Sequence, residues 1–320
     1  MRYACWIIFF CFCAFIAQAQ DIDDILPAAD SLIIRPEMAL EIINRALAEN
    51  PDSEELLKVR ADAYEALKQY DKAVADYRRL TQMDPDDETF WYLLGRNQYK
   101  NGQLPDALKS LHRATRLNTR YLPAFHTKIQ ILLDLHQNEA ASKVCDSTLR
   151  IGGTAMSYFL QGEVYRRLNQ WQRAEWAYQG ATKIDKGYIE AYIALAEINA
   201  DTNKARETLE AAEAALEIDP DSQEALIVRS RGLALLKNFT DAIEDVSEVI
   251  KLNPNNINAY YWRGIYHRDT NKPKEAVRDF ETALKLLAIT ANFPEKETMI
   301  QLVNLQIFEL NRENRAPIVQ

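Results

Sequence analysis

A small residue returns along this chain at an almost constant interval. Ala73, Ala107, Ala141, Ala174, Thr208, Ala242 and Ala276 follow one another at steps of 34, 34, 33, 34, 34 and 34 residues. A second column keeps the same step as Ala61, Gly95, Ile129, Gly162, Ala196, Ser230 and Gly264. Ahead of it runs a column of large residues, Leu57, Trp91, Phe125, Tyr158, Tyr192, Leu226 and Tyr260. Within the first period, Leu57, Ala61 and Tyr64 recur at i, i+4 and i+7 and so share one face of a helix, as do Ala73, Tyr77 and Leu80 in a second. Asp84-Pro85 stops that second helix, because proline has no amide to donate and clashes with the preceding turn. Lys68 to Asp71 leaves room only for a tight connection. Each period therefore predicts a helical hairpin in which large residues meet small ones at fixed offsets, so that two helices can approach closely. Two short helices cannot bury their apolar faces alone, but they can against copies of themselves.

At these residues the chain resembles the tetratricopeptide repeat family, whose units are 34-residue helix-turn-helix pairs. Seven copies, at about 54–87, 88–121, 122–154, 155–188, 189–222, 223–256 and 257–290, cover 54–288, with terminators at Pro85, Pro220 and Pro254. The resemblance implies an all-α fold, a right-handed superhelical solenoid of antiparallel helix pairs closed by a C-terminal capping helix. Thr208 departs from the pattern by replacing the small alanine, Ile129 by filling a slot usually held by glycine or alanine, and Gly152-Gly153 by replacing Asp-Pro. The third unit is thus the expected place for irregular packing. Pro105 and Pro273 fall near the starts of second helices, where proline's fixed φ is tolerated. No linker or low-complexity block interrupts the copies, so the repeats read as one solenoid.

Residues 1–19 read as an export signal: Arg2, an apolar run from Trp6 to Ala17, and the small residues of Ala17-Gln18-Ala19 before a cleavage point at Gln20. The run is shorter than the roughly 20 apolar residues a membrane helix wants. It resembles the signal of a Gram-negative, Bacteroidetes-like envelope protein, so the expected location is the periplasm or cell envelope. Membrane contact is then expected only through a partner or an uncleaved signal. Residues 20–53 form a partial repeat and cap. Met38, Ile42, Ile43, Ala46 and Leu47 make its second helix, and Asp21 to Leu32 makes a short or frayed first one. Residues 291–320 hold a capping helix from Glu295 to Asn311 and a tail. Ile300, Val303, Ile307 and Leu310 give that helix one apolar face, and Leu302, Leu305 and Phe308 give it a second.

With 38 basic against 47 acidic residues the chain carries a charge of −9, or about −10 without Arg2, which argues against nucleic acid as a partner. Once the leader is removed Cys145 is the remaining cysteine, and its register marks it as a small buried hydrophobe rather than a reactive thiol. No pair among His112, His126, His136 and His267 has metal-ligand spacing, and no glycine-rich loop follows a strand. Carboxylate pairs such as Glu54-Glu55 and Asp86-Asp87 sit at helix starts, where they suit the dipole. Catalytic residues, metal and cofactor are therefore all expected to be absent.

The resemblance implies that first helices line the concave face. On this chain that places Tyr92, Arg96, Tyr99 and Lys100, then His126 and Gln130, then Phe159, Arg166 and Arg167 in the groove, an aromatic and basic segment fit for an anionic peptide or partner protein. Later units add the acidic Glu190, Glu197 and Asp201, then Ile227, Arg231, Leu235, Tyr261 and Arg268. Arginine can grip a carboxylate with two prongs, and tyrosine offers stiff amphipathic area at low entropic cost. The carboxylate clamp of chaperone-binding members is not reproduced: Lys58 fits, but Asp62 stands where its asparagine belongs. The expectation is a protein-interaction scaffold. Its rivals are a glycan binder stacking sugars on Tyr92, Tyr99 and Phe159, and a structural subunit that self-associates through the Glu295 to Asn311 helix.

Overall fold

Seven times the chain turns back on itself through one left-handed residue. Lys68, Gly102, His136, Asn169, Asn203, Lys237 and Asn271 all have φ between 55° and 75°. In each case the next residue's amide reaches back to the carbonyl five positions earlier, as in Gln103 N to Gln98 O at 2.8 Å and Lys272 N to His267 O at 2.8 Å. This bond satisfies a carbonyl that the helix end would otherwise orphan.

The computed structural model describes residues 36–291, 293 and 296–313; the expected leader, the stretch from Asp21 to Leu32 and the tail after the last helix lie outside the described residues. Among the described residues all sixteen elements are α-helices and no strand occurs. They divide into two compact units between Gly152 and Gly153. In the first unit α1 (Pro36–Glu49) precedes the hairpins α2 (Glu54–Ala66) with α3 (Tyr70–Met83), α4 (Glu88–Lys100) with α5 (Leu104–Leu117), and α6 (Leu122–Asp134) with α7 (Asn138–Gly152). The second unit holds α8 (Ala155–Arg167) with α9 (Trp171–Ile184), α10 (Ile189–Asp201) with α11 (Ala205–Ile218), α12 (Gln223–Leu235) with α13 (Phe239–Leu252), and α14 (Ile257–Asp269) with α15 (Pro273–Ile289). The last helix, α16 (Lys296–Glu313), packs on α15. Gly152 ends α7 with φ 133°, a conformation that side chains rarely permit.

Side-chain oxygens receive the free amides at several first-helix starts: Ser53 accepts from Leu56 N, Asp87 from Thr89 N and Phe90 N, and Asn256 from Ala259 N. Second helices begin differently, with no side-chain cap bond at Gln69, Gln103 or Gln170, since the turn itself orders the backbone there.

The small columns are buried throughout. Ala73, Ala107, Ala141, Ala174, Thr208, Ala242 and Ala276 have no exposed surface. In the first-helix slot, glycines admit bulky side chains: a Cβ at Gly264 would lie 2.6 Å from the Phe280 ring, one at Gly95 2.8 Å from Leu111 Cγ, and one at Gly162 would clash with the ring of Tyr178. Each partner lies sixteen residues after its slot, and the register explains Ile129: the corresponding position holds the small Cys145, and both side chains are buried. Thr208 is also accommodated. Its hydroxyl donates to Lys204 O at 2.8 Å, and a Cβ at Gly232 would come 3.0 Å from its methyl, so a glycine on the next first helix leaves room for it. Burial pushes the Cys145 thiol up to about 12, consistent with a packing role.

At the two ends, Ile43 and Leu47 of α1 are buried, and Val303 and Leu310 of α16 join Phe280 and Ala276 in one cluster. Leu302, Leu305 and Phe308 stay exposed at 42%, 49% and 64%, so α16 carries the second apolar face read in its sequence.

Candidate functional site

The residues expected in the groove fall in both units. In the first, Tyr92, Arg96, Tyr99 and Lys100 project from α4. Glu65, on the preceding first helix α2, receives Arg96 Nη2 at 2.7 Å, Lys100 Nζ at 2.7 Å and Asn97 Nδ2 at 2.9 Å. Burial works against the Glu65 carboxylate, but the bonds from Lys100, Asn97 and Arg96 outweigh it and hold the group below the usual carboxylate range. Arg96 also lies 5.4 Å from the centre of the Tyr92 ring, which meets Tyr121 edge-on at 5.4 Å. Tyr99 donates its hydroxyl to Asp134 at 2.6 Å; burial and this carboxylate push the phenol up to about 12. His126 and Gln130 are half-buried on α6, and burial lowers the pKa of His126.

In the second unit Phe159 packs at 5.2 Å from Tyr188 and 5.9 Å from Tyr178. Arg166 bonds Glu163 at 2.8 Å, and the Tyr178 hydroxyl donates to the same carboxylate at 2.6 Å. Arg167 is exposed. Arg96, Lys100 and Arg166 thus already answer carboxylates of the chain itself. A ligand carboxylate would have to compete with Glu65 and Glu163. Asp62 is likewise engaged, accepting from the Tyr77 hydroxyl.

Sequence reasoning missed a cavity of about 330 Å³ among the later first helices of the second unit. Trp262, Ile265 and Tyr266 of α14 form one wall, Arg231 and Leu235 of α12 another, and Asn203 stands at its edge. The Arg231 guanidinium is 5.0 Å from the centre of the Trp262 ring and is paired with Asp201. Trp262 stacks on Tyr266 with an interplanar angle of 28°, and the Tyr266 hydroxyl meets Ser230 at 2.9 Å. Arg231 and Leu235 are among the residues expected in the groove from sequence; Trp262 is not. Among the described residues no three of His, Cys, Asp and Glu converge where a metal ion could sit.

Residues 61–102 match the family model described as a TPR repeat, and residues 236–291 match the one described as a tetratricopeptide repeat. Among solved structures the chain is similar to a tetratricopeptide repeat protein from Parabacteroides merdae ATCC 43184, with a TM-score of 0.62 at 16% identity over 79% of this chain and 98% of that one. The fold is the tetratricopeptide-repeat fold. A second tetratricopeptide-repeat likeness is to the C-terminal part of a TPR repeat-containing protein from Cytophaga hutchinsonii, with a TM-score of 0.57 at 18% identity over 73% of this chain and 97% of that one. The chain is also similar to a chain of the APC/C hetero-tetramer Cut9-Hcn1, with a TM-score of 0.59 at 14% identity over 88% of this chain. This chain spans only 56% of the length of that one. No sequence among the curated proteins matches the chain significantly.

Proposed function

We propose that this chain is a non-enzymatic scaffold of the cell envelope that holds a peptide or partner protein on its first-helix faces. What carries the reading is the way those faces are prepared. Aromatic side chains stand beside guanidinium groups that carboxylates on the same or a neighbouring first helix hold in place: Tyr92 with Arg96 and Glu65, and Trp262 with Arg231 and Asp201. Stiff amphipathic anchors with little rotamer entropy to lose are what a recognition surface needs. The tetratricopeptide-repeat fold supports a binding role over catalysis, and a similar solved chain is part of the Cut9-Hcn1 hetero-tetramer. The envelope location rests on the leader sequence of residues 1–19.

The test is capture from envelope extract by the chain from Gln20 onward, beside Tyr92→Ala and Trp262→Ala variants, with bound proteins identified by mass spectrometry. A partner retained by the parent and lost by either variant supports the reading. Equal capture by all three overturns it. A variant such as Arg96→Glu is unsuitable because it would set two carboxylates against each other at Glu65. The exposed Leu302, Leu305 and Phe308 favour a second reading, self-association through α16. Sedimentation at rising concentration tests it, since a chain that stays monomeric excludes it.

A further inference from the structure

One hairpin departs from the others on the face made by second helices. At the position of Trp176 the other repeats carry Ala75, Lys109, Lys143, Glu210, Glu244 and Arg278. One helical turn later, at the position of Gly180, they carry Arg79, Arg113, Ser147, Ala214, Glu248 and Thr282. Trp176 and Gly180 are thus two departures at i and i+4, on one face of α9. Their effect is a notch of about 340 Å³ bounded by Tyr158, Trp176, Gln179, Gly180, Lys183 and the half-exposed Ile184. The glycine is its floor: a Cβ there would come 2.7 Å from the Tyr158 ring. Where arginine stands instead, as at Arg113, the side chain reaches Pro85 O and Asp86.

The walls define what fits. Tyr158 and Trp176 meet edge-on at 5.7 Å with an interplanar angle of 65°, and Trp176 is 56% exposed, so one indole face is an open platform. Among the described residues the Tyr158 hydroxyl, the Trp176 indole N–H, the Gln179 amide and the Lys183 ammonium have no side-chain partner, and no carboxylate lines the notch. An apolar peptide side chain lying there would stay half in water. A pyranose is the better match, because its C–H face packs on the negative π face of an indole while its oxygens take hydrogen bonds at the wet rim. Four groups that can donate, one of them cationic, favour a ring bearing a carboxylate.

We propose that the Tyr158–Trp176 notch, between α8 and α9, binds an acidic pyranose, a uronate-type residue of a polysaccharide, independently of Tyr92, Arg96 and Trp262. The experiment is calorimetric titration of the full chain with tri-galacturonate, tri-mannuronate and N-acetylneuraminate, alongside neutral galactotriose, for the parent and the Trp176→Ala and Lys183→Ala variants. Both replaced side chains are exposed, and an unchanged melting temperature verifies that each variant folds. The expected result is saturable binding of at least one acidic sugar, weaker binding of the neutral one, and a loss of about tenfold or more on removing the platform in Trp176→Ala. Lys183→Ala should close the gap between acidic and neutral sugars. Binding unchanged in Trp176→Ala, equal affinity for neutral and acidic sugars in the parent, or no saturable binding of any acidic probe overturns the proposal.

Discussion

Arg263 lays its guanidinium across both oxygens of Asp279, with Nε at 2.9 Å and Nη2 at 2.7 Å. Arg60 with Asp76 and Arg229 with Asp245 repeat the arrangement at the same sixteen-residue offset, joining the two helices of one hairpin. The carboxylates are buried and the arginines are partly exposed. Removing Asp279 as Asp279→Ala leaves a half-buried cation facing a gap, and should cost about 1 to 3 kcal/mol. Urea denaturation checks this. The double replacement Arg263→Met with Asp279→Leu should recover much of the loss.

The glycine slots predict overpacking. Gly264→Ala and Gly162→Ala each drive a methyl into a ring, Phe280 or Tyr178, that is fully buried and cannot swing aside. Alanine's helix propensity is better by about 0.8 to 1 kcal/mol, yet the net effect should be a loss of about 1 to 2 kcal/mol. Ala174→Phe should be still more damaging. An unchanged melting transition in Ala174→Phe would falsify the packing register.

The left-handed turns predict the opposite sign. Lys237 at φ 62° and Lys68 at φ 57° hold a conformation that glycine adopts without steric penalty. Lys237→Gly should stabilise by about 0.5 to 1 kcal/mol even after the greater freedom of the unfolded chain is counted. Gly102→Ala, at φ 75°, should destabilise. A pair of melting curves decides the matter.

Two carboxylates should respond to pH in opposite directions. Glu65 is held below the usual range, so its stabilisation is present above the unfolded value of about 4.3 and disappears as pH falls through its folded value. Glu197 is raised, first by burial, which outweighs the attraction of Arg166 and Arg231. Its contribution is therefore lost as pH rises above the unfolded value, leaving a penalty at neutral pH. Glu65→Gln should lower the melting temperature at pH 7 and Glu197→Gln should raise it. Both differences should vanish at pH values where the parent carboxyls are protonated.

The fold was legible because its packing rule is local: alanine, glycine and serine recur where helices touch, and the recurrence is visible without knowing what they touch. Asn169, Asn203, Asn271 and Gly102 also announce their turns, while Lys68, His136 and Lys237 do not, since the backbone bond to the carbonyl five residues back imposes the conformation on them. The site was less legible. That Arg96 answers Glu65, 31 residues earlier, depends on how one hairpin lies on the next, and the repeat pattern fixes the stacking without stating which polar groups it brings together. The sixteen-residue arginine and aspartate pairs were written in the sequence, but in three of the seven hairpins, and the other four replace them with Leu94 and Ser110, Lys128 and Val144, Gln161 and Ala177, or Leu195 and Ala211.

Cys145, fully enclosed in the α6–α7 hairpin with its thiol pushed up to about 12, is the one cysteine among the described residues. A thiol in that state is inert to alkylating reagents until its surroundings open, because the thiolate is the species that reacts. Its labelling rate therefore clocks the opening of a single hairpin in the middle of the chain. The protein carries its own stopwatch for local unfolding, placed in the hairpin that ends where the two units divide.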